Sequence, residues 1–473
     1  MSYVDAPPFV AYLNIVQAKL GIFQPLINRL LVVILHLIAT IFLILIVKNN
    51  HVIIPSNNRD NLSDKLLITF LLAYIIPIFG LYGIFILPDS GLILGLSLML
   101  WVSDHILREG YISIKNSLLL GIGLGIGLLS KYHILPLGGG MLLGLYLDLA
   151  YRNSNQYSLR PLAMLIISVL LGLVIAAPLF IWNYTNHYAS FIFQLQHGFN
   201  SNSWQLMSMV GFIFGAILYL TPWFAYMLFK YGVLKERRYY ILIPVFCLCL
   251  ILLISSLRKN ILPHWLSPAF WLLIPYTVIN SKSFAALKSM CKYTCIIWLV
   301  LLCILLIPGG LSNIKKVTKI FNPDTSGLAD LLLWQELPQL FSRNMILQNS
   351  LTTLPKCNTA YKLIGTTRWY WTAQLEYQKV FAANYKILNL DLQSSNFYTW
   401  RDNLANFANC PILVISDRNN LSELSRLINI HKSYKIQGIG DYKSINLMVV
   451  EGIFKNTDMI TFLQQNSLKH PHY

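Results

Sequence analysis

Six residues carry the chemistry that this sequence can offer. Asp5 stands in YVDAPP, Asp89 in FILPDSG, Lys131 in LLSKYHI, His197 in FQLQHGFN, and His264 with Trp265 in ILPHWLSPAF. Each borders a strongly apolar stretch. Two carboxylates, a lysine and histidines gathered on one face could hold a metal ion, an anionic phosphate and a general base together. Each also has a plainer reading. Asp89 ahead of Ser-Gly can cap a helix, Lys131 can snorkel from a membrane interface, and His197 and His264 beside aromatics can be ordinary interface residues. Asp104 and Asp148, at the other ends of their apolar stretches, read as structural. The elements that carry these residues decide whether they meet.

Those elements are membrane helices. Hydrophobic residues make up 56% of the chain and charged residues 12%, about half the charged share of an ordinary soluble domain. Apolar runs near 26–47, 66–87, 90–106, 117–130, 134–150, 162–182, 207–229, 239–257, 264–281 and 293–309 predict ten spans, since about 20 residues cross the hydrocarbon core. One set of connecting loops holds 14 lysines and arginines, among them Arg108, Lys115, Arg152 and Arg238. The opposite set holds only Lys131, Arg258 and Lys259. By the positive-inside bias the second set lies outside. All six chemical residues then fall on the outer face, as does the C-terminal region. The net charge of +17 is thereby largely topological in the membrane part, not a nucleic-acid footprint.

Residues 1–25 read as an outer loop plus an amphipathic interfacial helix over 9–23 (FVAYLNIVQAKLGIF), and 26–310 as the membrane body. Residues 311–473 read as a small α/β domain on the outer, periplasmic side. Strand-like YKLIG, CPILVIS and INLMVVEG alternate there with helix-like RWYWTAQLEYQ and NNLSELSRLIN. Cys357 and Cys410, each just ahead of a predicted strand, are candidates for a disulfide in an oxidising compartment. The GIGLGIG run at 121–127 lies inside a span and follows no strand. It reads as small residues at a close helix contact, not as a dinucleotide loop.

The order YVDAPPFVAYL, LPDSGLILGLSLML, GIGLGIGLLSKYHILPL, PLFIWNYTNHYASFIFQLQHG and RKNILPHWLSPAF resembles the bacterial family 39 glycosyltransferases. These are relatives of dolichyl-phosphate-mannose protein mannosyltransferases and of the aminoarabinose transferase that modifies lipid A. The resemblance covers roughly residues 1–280. It implies a C-type glycosyltransferase fold with an outer-face active site, an undecaprenyl-phosphate-linked sugar as donor, and a lipid, glycan or protein acceptor of the envelope. It places Asp5 and His197 at positions that hold a divalent metal ion and Asp89 in the family's Pro-Asp motif. It makes Lys131 a lysine that contacts the donor phosphate, and sets Trp265, with His264 beside it, at the donor cavity. The family's favoured base is an acid in the first outer loop. MSYVDAPP resembles the end of that loop, and the first helix with its acidic loop is missing ahead of it: either the true start lies upstream, or this chain lacks a segment that its relatives use for catalysis. Ala6 stands where some relatives carry a basic residue.

Two other function classes compete. A transporter or flippase for lipid-linked sugars would favour charges buried mid-span and broken helices repeated between halves. No such repeat is visible in the sequence. A non-catalytic remnant of the transferase would bind lipid or a partner without turnover.

Overall fold

The computed structural model describes residues 6–19, 25–51, 62–152, 159–199, 204–281, 284–306, 337–357, 361–377, 379–390, 404–417, 421–439 and 445–456. Asp5 lies outside them, and so does the side chain of His197, whose backbone belongs to helix Ala189–Phe199. The chain divides into two compact units, residues 1–300 and 301–473, ten residues ahead of the boundary expected from composition.

The first unit is helical throughout its described residues. Helix α1 (Phe9–Lys19) precedes the long α2 (Pro25–His51). Helices α3 (Leu62–Ile75) and α4 (Pro77–Tyr82) form one apolar run interrupted at Pro77, whose ring cannot continue a helix hydrogen-bond ladder. Then come α5 (Pro88–Glu109), α6 (Ile114–Ser130), α7 (Ile134–Arg152), α8 (Leu159–Ile175), α9 (Ala177–Thr185), α10 (Ala189–Phe199), α11 (Leu206–Leu220) and α12 (Pro222–Met227). They are followed by α13 (Tyr239–Ser256), a 3-10 turn at Pro263–Leu266, α14 (Ser267–Asn280) and α15 (Phe284–Leu306). Every apolar run of the sequence coincides with one of these helices or a broken pair. By length and composition four of the described helices can cross a membrane, and six if the bent pairs α8–α9 (55°) and α11 with Pro222–Val233 (97°), where α12 runs on into a π-helical turn at Leu228–Val233, each count as one span. Of the remainder, α15 is 23 residues long, and the others fall short of the about 20 residues that a crossing takes. At the sharper bend Thr221 holds φ at +67° ahead of Pro222.

Helix α5 is the axis of this unit. Proline at its first position, where no backbone donor is needed, starts it. Gly110 at φ +83° ends it in the left-handed conformation that glycine adopts without steric cost. It packs against α6 along a seam of glycines. A Cβ on Gly95 would lie 2.4 Å from the Gly123 carbonyl oxygen, so the two backbones touch where any larger residue would force them apart. The GIGLGIG run is thus a packing surface, as its position inside a span implied. Trp271 of α14, fully buried, donates from Nε1 to Ser97 Oγ at 2.8 Å and ties α14 to the middle of α5.

The second unit is a five-stranded sheet ordered β2-β1-β3-β5-β4, with β1 Lys362–Thr366, β2 Tyr385–Asn389, β3 Pro411–Ser416, β4 Ile428–Ile439 and β5 Ile445–Phe454. The first three are parallel. Strand β5 runs antiparallel to β3, and β4 antiparallel to β5. Helices Trp369–Tyr377 and Leu421–Leu427 stand where the sequence placed them. Strands β2 and β4 were not expected. Cys357 and Cys410 are joined in a disulfide with Cα atoms 5.1 Å apart.

Candidate active site

Asp89 and Lys131 are 42 residues apart in the chain and in direct contact. Lys131 Nζ donates to Asp89 Oδ1 at 2.9 Å and to Oδ2 at 3.0 Å. Asp89 occupies the first turn of α5, where unpaired backbone N–H groups and the helix dipole favour a carboxylate. Lys131 is the residue that closes α6; its extended backbone (φ −159°, ψ 140°) turns the chain out of the helix. The glycine seam between α5 and α6 brings these two ends together. A Cβ on Gly91, two residues after Asp89, would collide with Ser130 Oγ and with the Phe9 ring of α1. The lysine side chain keeps 16% of its surface exposed and the aspartate 5%.

The turn that carries Lys131 is fixed at both sides. Lys131 N donates to Gly127 O at 2.9 Å and Ile134 N to Lys131 O at 3.1 Å. The Tyr132 hydroxyl bonds Ser190 Oγ at 2.7 Å, and Ser190 N donates to Asn183 Oδ1 at 3.2 Å, linking the turn to α9 and α10. His133 follows, its ring edge-on to Trp265 at 5.7 Å. Its Nε2 is buried and has no hydrogen-bond partner among the described residues. Burial, then the Lys131 ammonium and His264, hold this imidazole well below its usual range, so it is neutral.

The 3-10 turn of His264 and Trp265 closes the site. The His264 ring stands edge-on to Tyr219 at 6.2 Å. Its carbonyl accepts hydrogen bonds from the Tyr82 hydroxyl at 3.2 Å and from Ser267 Oγ. Tyr82 ends α4 fully buried, beside the Asp89 carboxylate. The structure therefore brings together Asp89, Lys131, His264 and Trp265, and adds Tyr82, His133, Tyr219 and Ser267. The last four lacked a clear sequence signal, except that His133 sits inside the SKYHI motif. The cluster can meet an anion with the lysine and a neutral imidazole, and can receive a proton on the carboxylate. Both Asp89 oxygens accept from the Lys131 ammonium. Among the described residues no three His, Cys, Asp or Glu side chains are grouped to hold a metal ion.

The other end of α5 holds a second polar cluster. Asp104, 2% exposed, accepts from Asn50 Nδ2 at 3.0 and 3.1 Å, from Arg108 Nε at 3.1 Å and from the Tyr240 hydroxyl at 3.5 Å. Arg238 Nη1 lies 3.5 Å from Asp104, and its guanidinium covers the Tyr276 ring at 5.0 Å. Tyr276 and Tyr240 share a 2.6 Å hydroxyl hydrogen bond. Nearby, Asp148 accepts from the backbone N–H groups of Tyr239 and Tyr240, each at 2.9 Å. Here every carboxylate oxygen of Asp104 and Asp148 is spoken for.

No protein-family model and no curated protein matches this sequence. Its fold is similar to that of ArnT from Cupriavidus metallidurans, whose crystal structures in the apo state and bound to undecaprenyl phosphate each align with a TM-score of 0.54. Each alignment covers 94% of this chain and 88% of that one, at 14% identity. At that identity the likeness is one of fold.

Proposed function

We propose that this chain is an integral-membrane glycosyltransferase of the bacterial inner membrane. It moves a sugar from a polyprenyl-phosphate donor to a lipid, glycan or protein acceptor of the envelope at the periplasmic face. The observation that carries the reading is the Asp89–Lys131 pair, a carboxylate and an ammonium held at abutting helix ends beside imidazoles. The fold shared with ArnT, one crystal structure of which holds undecaprenyl phosphate, supports the donor class.

The chemistry follows from the pair. A donor phosphate entering the site competes with Asp89 for Lys131, and drawing the ammonium away leaves the carboxylate able to take a proton. The acceptor hydroxyl oxygen attacks the anomeric carbon and its proton passes to Asp89. The bond from that carbon to the phosphate oxygen breaks, and the lipid phosphate leaves with the electron pair. Lys131 stabilises the charge that develops there. His264 and Trp265 line the donor side. The same reading gives Asp5 and His197 a divalent ion, and dialysis against a chelator tests that assignment. Transfer lost and then restored by added metal supports it, and transfer unchanged overturns it.

The decisive experiment is mass spectrometry of envelope glycolipids and glycoproteins from a deletion strain complemented with this chain. One sugar mass is expected to vanish and return. In membranes of the complemented strain Asp89→Asn and Lys131→Ala should each lower the transfer rate about 10²–10⁴-fold, the usual share of a positioned proton acceptor or charge stabiliser. Full transfer by both variants, or no sugar altered by the deletion, overturns the reading.

A further inference from the structure

Among the described residues of the outer cluster, His133 Nε2 is the one fully buried side-chain polar atom that the protein leaves without a hydrogen bond. Lys131 is committed to Asp89, the Tyr82 hydroxyl to His264 O and Ser267, and Tyr132 to Ser190. Among the described residues His133 Nε2 has no counterpart. A buried donor or acceptor left unmade costs about 1–3 kcal/mol, and at the edge of a candidate site an arriving ligand is what would repay it.

What arrives is defined by the neighbours. His133 is two residues from Lys131, in a turn pinned by Gly127 O on one side and by Ser190 through Tyr132 on the other. Its ring plane is set by the edge-on contact with Trp265, at an interplanar angle of 81°. The ring therefore has a fixed direction, and the nearest formal positive charge in its turn is the Lys131 ammonium. Facing an anion that this ammonium attracts, a neutral imidazole protonated on Nε2 is a directional donor. We propose that His133 is a positioning residue of this site, donating from Nε2 to an anionic oxygen of the lipid phosphate that Lys131 attracts. This assignment rests on the proposed transferase reading and deepens it. Lys131 supplies the charge, which is indifferent to angle, and His133 supplies the direction, which sets how the phosphate and the sugar attached to it lie against Asp89.

Binding of two lipids to the purified full chain in nanodiscs separates the roles. Undecaprenyl phosphate carries the anion, and undecaprenol has the same tail without it. His133→Phe keeps a flat ring against Trp265 and removes the donor; His133→Gln restores an amide donor. With His133→Phe, binding of undecaprenyl phosphate is expected to weaken about tenfold, the range of a hydrogen bond to a charged group. Undecaprenol binding should stay as it was, and His133→Gln should recover most of the loss. Equal weakening for both lipids, or a loss that His133→Gln does not repair, makes His133 a packing residue and overturns the proposal. So does unchanged binding by His133→Phe while Lys131→Ala loses the phosphate lipid, and in that outcome the transferase reading still stands. A wild-type chain that does not distinguish the two lipids overturns the proposal together with the reading beneath it.

Discussion

Helix α5 carries an aspartate near each end, and the protein treats the two in opposite ways. They are 15 residues apart, about 22 Å along the axis at 1.5 Å per residue. Asp89 sits in the first turn, where the helix terminus itself favours a negative charge, and has Lys131 for a cation. Asp104 has no helix N-terminus to help it and is surrounded instead by Arg108, Arg238, Asn50 and Tyr240. The first carboxylate is cheap to hold and simple to release. The second is bound into a network in which each member satisfies another. A buried ion can thus be a latch or a tool, and the count of its protein partners separates the two better than its depth does.

This contrast can be broken by experiment. The largest effect on stability should come from Asp104→Ala, which takes the shared carboxylate away from Arg108, Arg238 and Asn50 at once. Losing one partner of a buried charged network costs about 3–5 kcal/mol, to be read as a lowered unfolding temperature in detergent. Lys131→Met leaves the buried Asp89 without its cation but still on its helix terminus, and should cost less, about 1–3 kcal/mol. Equal losses at the two ends would erase the distinction. Gly95→Ala tests the seam that joins them, for overpacking of close backbones costs about 1–3 kcal/mol. If the seam sets the pair, this variant also lowers transfer although it touches neither Asp89 nor Lys131. A variant with full transfer shows that the pair tolerates a wider spacing. The smallest effect is expected from Tyr240→Phe. It removes the hydroxyl bonds to Tyr276 and Asp104 and should cost about 0.5–1.5 kcal/mol with transfer intact.

Much of this arrangement was legible before any coordinates. The charge bias of the loops predicts a common face for Asp89, Lys131, His264 and Trp265, which the structure brings together, and apolar runs mark their helices. Tyr82 was not legible because it ends an apolar run as an unremarkable aromatic. Its place in the site comes from Ser267 and His264, more than 180 residues away. The bends were illegible for a related reason: hydropathy reads through Pro77 and Thr221-Pro222 as continuous runs, although backbone geometry breaks the helix at both. In the second unit, the start of INIHKSYKIQGI reads from sequence as the tail of a helix. Its first residues continue the pattern of the preceding turn, and the strand is settled by pairing with β5. Strand β2, five residues long with a lysine at its second position, is shorter than the alternation needed to recognise it.

The bond between Cys357 and Cys410 offers a way to test where the C-terminal unit resides. Cytosolic reductants keep such pairs open, whereas export to an oxidising compartment lets them close. Alkylating intact cells before lysis would freeze that state in each molecule. The closed fraction on a gel would then count the chains whose C-terminal unit has crossed the bilayer, and the open fraction those retained or inserted the other way. On the proposed periplasmic placement the closed form should dominate, and a pair found open throughout would overturn that placement.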